Sequence, residues 1–370
     1  MSSPARESTF PGRLALQQRV LPEYRVPFFT ELATRCAGGL TVFAGRPRPE
    51  EGIATTAVLP GAAYTEGRNV HRLAGPLYTC RQPGLLAWLA AAEPAALIVE
   101  ANPRYPDTLN AIAWMKERRR PVLGWGLGAP PLSGLLAAPR LRARLRLLDL
   151  LDGVIAYSEQ GAAEYRDLGL QNVFVAHNAA AHAPVTPPPV RPDGFEGAPV
   201  VLFVGRLQAR KRIDLLLRAC AALPAPPRLV VVGDGPARGE FEYAASRAFP
   251  AAEFVGACHG EDLDVLFRQA DLFVLPGSGG LAVQQAMSHG LPIISAEGDG
   301  TQNDLVRPGR NGWLVAPGSL DSLQSALVDA LADPVRLRAC GRESYRIVAE
   351  EINVEKMAEK FIQAVNTVNS

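Results

Sequence analysis

Short apolar runs recur along the whole chain, most of them followed by a stretch of helical pattern. That alternation restricts the fold to parallel α/β architecture. In the first half the predicted strands are LALQQ from Leu14, LTVFAG from Leu40, AALIVEA from Ala95, PVLGWG from Pro121, GVIAYS from Gly153 and VFVAHN from Val173. PFFTELATRCA, PGLLAWLAAAE and TLNAIAWMKERRR read as helices between them. The stretch from His182 to Pro199 is dense in proline, has no apolar period and reads as a linker. Beyond it the alternation restarts with VVLFVGR, RLVVVGDG, AEFVGA, LFVLPG, LPIISAEG and GWLVAPG.

The expected organisation is therefore a Rossmann-like domain over 1–182, a Pro-rich linker over 183–199 and a second Rossmann-like domain over 200–350. An amphipathic helix, 351–370, is expected to pack back on the first. Two doubly wound parallel sheets joined in this way are expected to face a cleft, since such sheets bind ligands beyond the carboxyl ends of their strands. At 370 residues, 48% of them hydrophobic, the chain can bury a core in each half.

Charge and rare residues narrow the function classes. With 38 basic and 37 acidic residues the net charge is +1, so no global field argues for a nucleic-acid partner. Cys36, Cys80, Cys220, Cys258 and Cys340 are scattered and odd in number, which fits reduced cytoplasmic thiols better than a disulfide framework or a zinc site. The 5 histidines are equally dispersed, so no metal site and no metal cofactor is expected. The N-terminus lacks the apolar core of a signal peptide, and no uncharged apolar run reaches the roughly 20 residues that span a bilayer. The expectation is a cytoplasmic protein, peripheral to the inner face of a membrane at most.

Three segments carry the chemistry. In VLFVGRLQARKRIDLLLRACAAL a strand ends at Gly205, Arg206 follows, and Lys211 is expected to open a helix. Two cations beside a helix N-terminus form an anion site suited to a phosphate or diphosphate. The plainer reading is a pair of solvated loop charges. In RLVVVGDGPARGEFEYAA a strand runs into Gly233-Asp234-Gly235-Pro236, either an ordinary strand-to-helix turn or a ligand contact. In DLFVLPGSGGLAVQQAMSHGLPII the small residues Gly277, Ser278, Gly279 and Gly280 give way to a helix from Leu281, whose first amides suit the same diphosphate. Gln285, one turn on, is either a ribose contact or an ordinary polar helix residue.

In this order the segments resemble the retaining glycosyltransferases of family 4, which have the GT-B fold. VGRLQARK is similar to the family's VGRLxxxKG, VGDGP to its VGDGP, and QQAMSHGLPII to its EAMACGxPVV. AEFVGACHGEDLDVLFRQADLFVLP and DLVRPGRNGWLVAPGSLDSLQSAL match two further segments, so the resemblance covers roughly 200–334. The first half is more divergent, although RVLPEYRVPFFTELA looks like bacterial polysaccharide and surface-glycan transferases. The resemblance implies that Arg206 and Lys211 neutralise the diphosphate of a UDP- or GDP-sugar donor and stabilise the departing nucleotide. It implies amide contacts at Gly280 and Leu281, a nucleobase beside Gly256, Cys258 and His259, and Asp304 in the place of a family glutamate. Retention without a protein nucleophile and without a metal is the family expectation, the leaving diphosphate taking the acceptor's proton.

One departure is serious. The family's two glutamates, spaced by seven residues, normally grip the donor sugar and the ribose. Here Gly277 and Gln285 stand in their places. A variant with altered sugar contacts, or a catalytically silent partner subunit that binds a nucleotide or glycan, are the two readings.

The first domain is expected to hold the acceptor, a glycan, a lipid-linked sugar or a small molecule. Tyr24, Arg25, Glu100 and Asn102, at its predicted strand ends, are the candidate contacts. A nicotinamide dehydrogenase is disfavoured because GxGxxG does not follow the first strand. Basic residues in MKERRRP and in PRLRARLRLL, with leucines at Leu141, Leu145 and Leu148, either form a solvated helix face or meet an anionic membrane surface.

Overall fold

The structure, a computed structural model, describes residues 9–298 and 300–369. They form two compact units, one of residues 9–182 with 354–369, the other of residues 183–353. Part of the N-terminal segment read above for a signal sequence lies outside the described residues.

In the first unit the strands are β1 (Leu14–Val20), β2 (Leu40–Gly45), β3 (Ala62–Gly67), β4 (Val70–Arg72), β5 (Thr79–Arg81), β6 (Ala96–Glu100), β7 (Val122–Gly126), β8 (Gly153–Ala156) and β9 (Val173–Val175). The helices are α1 (Val26–Thr34), α2 (Leu85–Ala92), α3 (Asp107–Glu117), α4 (Ala137–Leu148) and α5 (Glu159–Asp167). Seven strands form one parallel sheet in the order β3-β2-β1-β6-β7-β8-β9, while β4 and β5 pair as a separate antiparallel hairpin. The winding reverses between β1 and β6, where loops diverge and a crevice opens.

Apolar runs such as LIV in β6 are buried on both sheet faces, as a parallel sheet covered by helices requires. Trp88, Leu89, Ile112 and Met115 from α2 and α3 pack on one face against Phe43, Leu97 and Val99. The sequence reading placed no strand at β3, β4 or β5. Strand β3, AAYTEG, lies at the sheet edge with no fully buried residue, so it has no apolar run to read. The hairpin strands have three residues each, too short for any period.

The second unit holds β10 (Val200–Val204), β11 (Arg228–Val232), β12 (Glu253–Gly256), β13 (Leu272–Leu275), β14 (Ile293–Ala296) and β15 (Gly312–Val315). Its helices are α6 (Ile213–Ala221), α7 (Arg238–Ala248), α8 (Gly260–Gln269), α9 (Leu281–Ser288), α10 (Thr301–Leu305), α11 (Leu320–Ala332) and α12 (Pro334–Glu350). All six strands are parallel in the order β12-β11-β10-β13-β14-β15, so the switch point lies between β10 and β13.

The Pro-rich stretch expected to link the domains carries no strand or helix and is tied to the second unit. Arg191 donates to the carbonyls of Phe267 (2.9 Å), Ala270 (2.8 Å) and His289 (2.9 Å). Arg338 donates to Pro192 O at 2.9 Å and pairs with Asp271 at 2.6 Å, its side chain only 5% exposed. Arg191 thus anchors the segment by satisfying carbonyls at the ends of α8 and α9, and Arg338 satisfies one of the segment's own.

The last helix, α13 (Val354–Asn369), joins the first unit. It buries Val354, Met357, Ala358, Phe361, Ile362 and Val365, an i, i+3, i+4 stripe. Phe361 meets Phe28 of α1 at 4.8 Å and Trp125 of β7 at 5.0 Å, both edge-on. Among the described residues no helix is long and apolar enough to cross a membrane.

Candidate functional site

The loops after β10 and β13 meet at the switch point of the second sheet. Strand β10 hands its hydrogen bonding to its neighbour: Gly205 N donates to Val232 O at 3.0 Å and Leu207 N to Asp234 O at 2.9 Å. A side chain at Gly233 would collide with Gly205 O, and Gly233 adopts φ +135°, which favours glycine. The glycines of VGDG therefore let two strand ends close on each other. Gly233 N also donates to Gly256 O at 2.7 Å, which brings the end of β12 into the same row, with half-buried Cys258 and exposed His259 just beyond it. Asp234 is exposed and accepts from Gly235 N at 2.7 Å.

Lys211 does not open a helix, as the sequence suggested. It ends a short turn, Ala209–Lys211, and α6 begins only after Arg212, a non-glycine residue at φ +54°. That left-handed residue costs of order 1 kcal/mol. Asp214 holds the Arg212 side chain through two hydrogen bonds, 3.1 and 3.0 Å. The consequence of the break is the direction of Lys211. Its side chain runs inward, 9% exposed, and Nζ donates to Ser278 O at 2.7 Å. Burial, reinforced by the neighbouring Arg210, pulls its pKa down to about 8.

Around Lys211 the small-residue loop is fitted by exclusion. A Cβ at Gly277 would strike the main chain of Arg210 and Lys211, and one at Gly279 (φ +129°) would strike Lys211 Nζ. Arg210 donates to Ser278 Oγ at 3.0 Å, and Ser278 N donates back to Arg210 O at 3.2 Å. Then α9 starts from Gly280, whose lack of a side chain leaves the first turn without a side-chain cap. Leu281 is exposed at that turn and Gln285 is half-buried one turn further on. Arg206, directly after Gly205, is exposed.

Sequence reasoning missed Gln302. It is 3% exposed, and its Nε2 donates to Gly279 O at 3.1 Å, so α10 braces the loop as well as Lys211 does. No local pattern announces that contact between positions 23 apart. Asp304, on the same short helix, is half-buried, and its carbonyl accepts from Arg307 Nε at 3.1 Å. Among the described residues no three His, Cys, Asp or Glu side chains gather into a metal-binding group.

The switch point of the first sheet is built differently. Glu100, at the end of β6, accepts from Arg19 N at 2.6 Å, and Arg19 pairs with Glu51 at 2.9 Å. Burial pushes the Glu100 carboxyl above the usual range, against the opposing pull of Arg19. His71 Nδ1 lies 2.8 Å from Tyr78 Oη on the adjoining hairpin, and Gln82 bridges to Gln18 O at 3.0 Å and Asn69 Oδ1 at 2.9 Å. Asn102 caps the following turn, its Oδ1 accepting from Arg104 N at 3.1 Å.

Two other candidates part company here. Tyr24 is exposed, at 41%. Arg25, read as a cleft residue, is corrected: it is 4% exposed and caged by the rings of Trp125 (5.0 Å) and Tyr157 (5.2 Å), with Met357 Sδ at 3.8 Å. Its guanidinium is spent on packing and cation–π contact within the unit.

Residues 198–333 match the family described as Glycosyl transferases group 1. Over 146 residues the chain is 36% identical to the GDP-mannose-dependent alpha-mannosyltransferase of Mycobacterium tuberculosis, a match covering 39% of this chain and 36% of that one. The chain spans about a third of the length of the curated relatives it first matches. At 24% identity the similarity extends to 95% of this chain and 94% of the GDP-mannose-dependent monoacylated alpha-(1-6)-phosphatidylinositol monomannoside mannosyltransferase of Corynebacterium glutamicum. The structure of Anabaena HepE in complex with UDP superposes with a TM-score of 0.71 at 18% identity, covering 96% of this chain and 99% of that one. The fold is the α/β GT-B fold, two Rossmann-like parallel-sheet units.

Proposed function

We propose that this protein is a retaining glycosyltransferase that uses a nucleoside-diphosphate sugar as donor. The observation that carries the reading is the contact between Lys211 and the loop Gly277–Gly280 at the switch point between β10 and β13. A buried cation, a strand end that turns on glycine and an uncapped helix start are the parts an enzyme needs to hold a diphosphate. The match of residues 198–333 to a glycosyltransferase family supports the same assignment.

In this reading Lys211 and Arg206 neutralise the diphosphate, and the amides at Gly280 and Leu281 add hydrogen bonds. The bond between the anomeric carbon and the diphosphate oxygen breaks, and a bond to the acceptor oxygen forms on the same face. The acceptor's proton passes to the departing diphosphate. Lys211 and Arg206 stabilise the charge that develops there, so no metal and no protein nucleophile are invoked. Gln285 replaces a ribose-gripping carboxylate with a neutral amide that still donates and accepts. The nucleobase lies towards Gly256, Cys258 and His259. The acceptor, a glycan, a lipid-linked sugar or a small molecule, belongs to the first unit near Glu100 and Asn102. Five unpaired cysteines support a cytoplasmic setting.

The cramped Gly277 favours a second reading, a donor-binding partner subunit without turnover, because no side chain at that position can grip the sugar. Thermal-shift screening against UDP, GDP and their sugars, followed by turnover assays with the stabilising donor, separates the two. Stabilisation with turnover that Lys211→Ala removes is the expected result. Stabilisation without turnover for any acceptor assigns the silent subunit, and no response to any nucleotide overturns both.

A further inference from the structure

The peptide between Gly279 and Gly280 is the least restrained in the loop after β13. Glycine lies on both sides of it, so no Cβ decides which way its carbonyl faces. A trans peptide plane carries its C=O and the following N–H on opposite edges, and a flip of the plane exchanges them. The direction of this one peptide therefore decides whether the loop offers a ligand a donor or an acceptor.

Gln302 makes that choice. Its Nε2 donates to Gly279 O at 3.1 Å, and among the described residues that carbonyl has no second partner. The amide is itself held: Gln302 is 3% exposed, and Thr301 Oγ1 donates to its Oε1 at 3.4 Å. Turning the amide round would set Oε1 against a carbonyl oxygen. Lys211 does the same one peptide earlier, Nζ donating to Ser278 O at 2.7 Å.

With both carbonyls engaged, the N–H groups of Gly279 and Gly280 point away from the side chains that hold their peptides. Among the described residues neither N–H has a partner. A Cβ at Gly280 would meet nothing within 4 Å, so that residue borders open space.

We propose that Gln302 is a positioning residue for the donor: by holding Gly279 O it keeps Gly280 N–H, and not a carbonyl, turned towards the diphosphate. The proposal rests on the reading of this loop as the diphosphate site. It gives a role in binding to a residue that acts through the main chain.

The test is calorimetric titration of the full chain with UDP and with GDP, for the wild type and two variants. Gln302→Met keeps the length of the side chain and removes the donor. Affinity for the nucleotide that the wild type binds should fall about tenfold or more, the worth of one hydrogen bond to a charged group. Gln302→Glu separates hydrogen bonding from space filling, because its carboxylate repels Gly279 O while the protonated acid donates to it. Relative to the wild type at each pH, Gln302→Glu should be weak at about pH 9 and recover most of the loss by about pH 5, since burial favours the acid. Lys211 titrates as well, and Gln302→Met, which should show no such recovery, controls for it.

Full affinity in Gln302→Met overturns the inference and leaves the donor reading standing. So does Gln302→Glu following Gln302→Met at every pH, which would mean that the side chain only fills space. A wild type that binds neither UDP nor GDP overturns both. If Gln302→Met does not fold, as thermal melts will show, the pH response of Gln302→Glu decides alone.

Discussion

The two sheets share a topology but finish their carboxyl edges in opposite ways. At the second sheet the switch point is made of main chain: side chains at Gly233 and Gly277 would meet neighbouring backbone, and Lys211 takes the space that one at Gly279 would need. At the first sheet the same place is filled by long polar side chains, with Arg19, Glu51, Glu100 and Gln82 bonded to one another or to the backbone around them. A main-chain edge offers amides at fixed positions and suits a group common to all ligands of a class, such as a diphosphate. A side-chain edge can be rewritten one residue at a time, so it suits the part of the reaction that differs between relatives. The fold supplies two equivalent crevices, and the side-chain content decides which is generic and which is particular.

That contrast breaks most directly at Lys211. Lys211→Ala should lower turnover by about 10²–10³-fold, as loss of a preorganised charge does, while circular dichroism stays unchanged. Near-normal turnover would mean the main-chain edge is not the donor site. Next in size, Phe361→Ala should destabilise the first unit by about 3–5 kcal/mol, because its ring fills the space between Phe28 and Trp125. Nucleotide binding, measured by calorimetry on the folded variant, should survive if the donor site belongs to the second unit alone.

Gly277→Ala tests the exclusion argument. The added methyl meets main chain and not a flexible side chain, so about 1–3 kcal/mol of stability should be lost together with nucleotide affinity. A stable variant with normal affinity would show that the loop has slack. The pH dependence of the unliganded site is smaller and has a definite sign. Lys211 has a folded pKa of about 8, below the ordinary lysine value. Between the two the unfolded chain holds a proton the folded chain has lost, so the Lys211 contribution makes stability rise with pH across that window. Diphosphate affinity should move the other way, falling by up to about tenfold per pH unit above 8, since binding must recover the proton. Lys211→Met should flatten both trends. Smallest of all, Glu100→Gln should leave nucleotide affinity untouched and change only acceptor KM.

Much of the second unit was legible in the sequence because strands such as VVLFV and LFVL are continuous apolar runs closed by glycine or proline. Edge strand β3 and the hairpin β4–β5 were not, since nothing apolar marks them. Lys211 and the small-residue loop could be singled out locally, but their contact joins positions 67 apart and only the strand order brings them together. Arg25 was misplaced for the same reason in reverse: the rings that cage it come from β7 and β8's following loop, about a hundred residues away. Gln302 escaped notice because bracing a carbonyl needs only an amide at the right place in space.

The crowding at Gly277 also sets what variation can reach. Every single-residue replacement there puts atoms where the Arg210 main chain already is. A carboxylate at position 277 itself is therefore closed to point substitution, whereas a side chain at position 280 meets open space. Under the proposed function, a directed-evolution library aimed at the donor sugar should leave position 277 alone and vary position 280 and the loop length between Pro276 and Leu281.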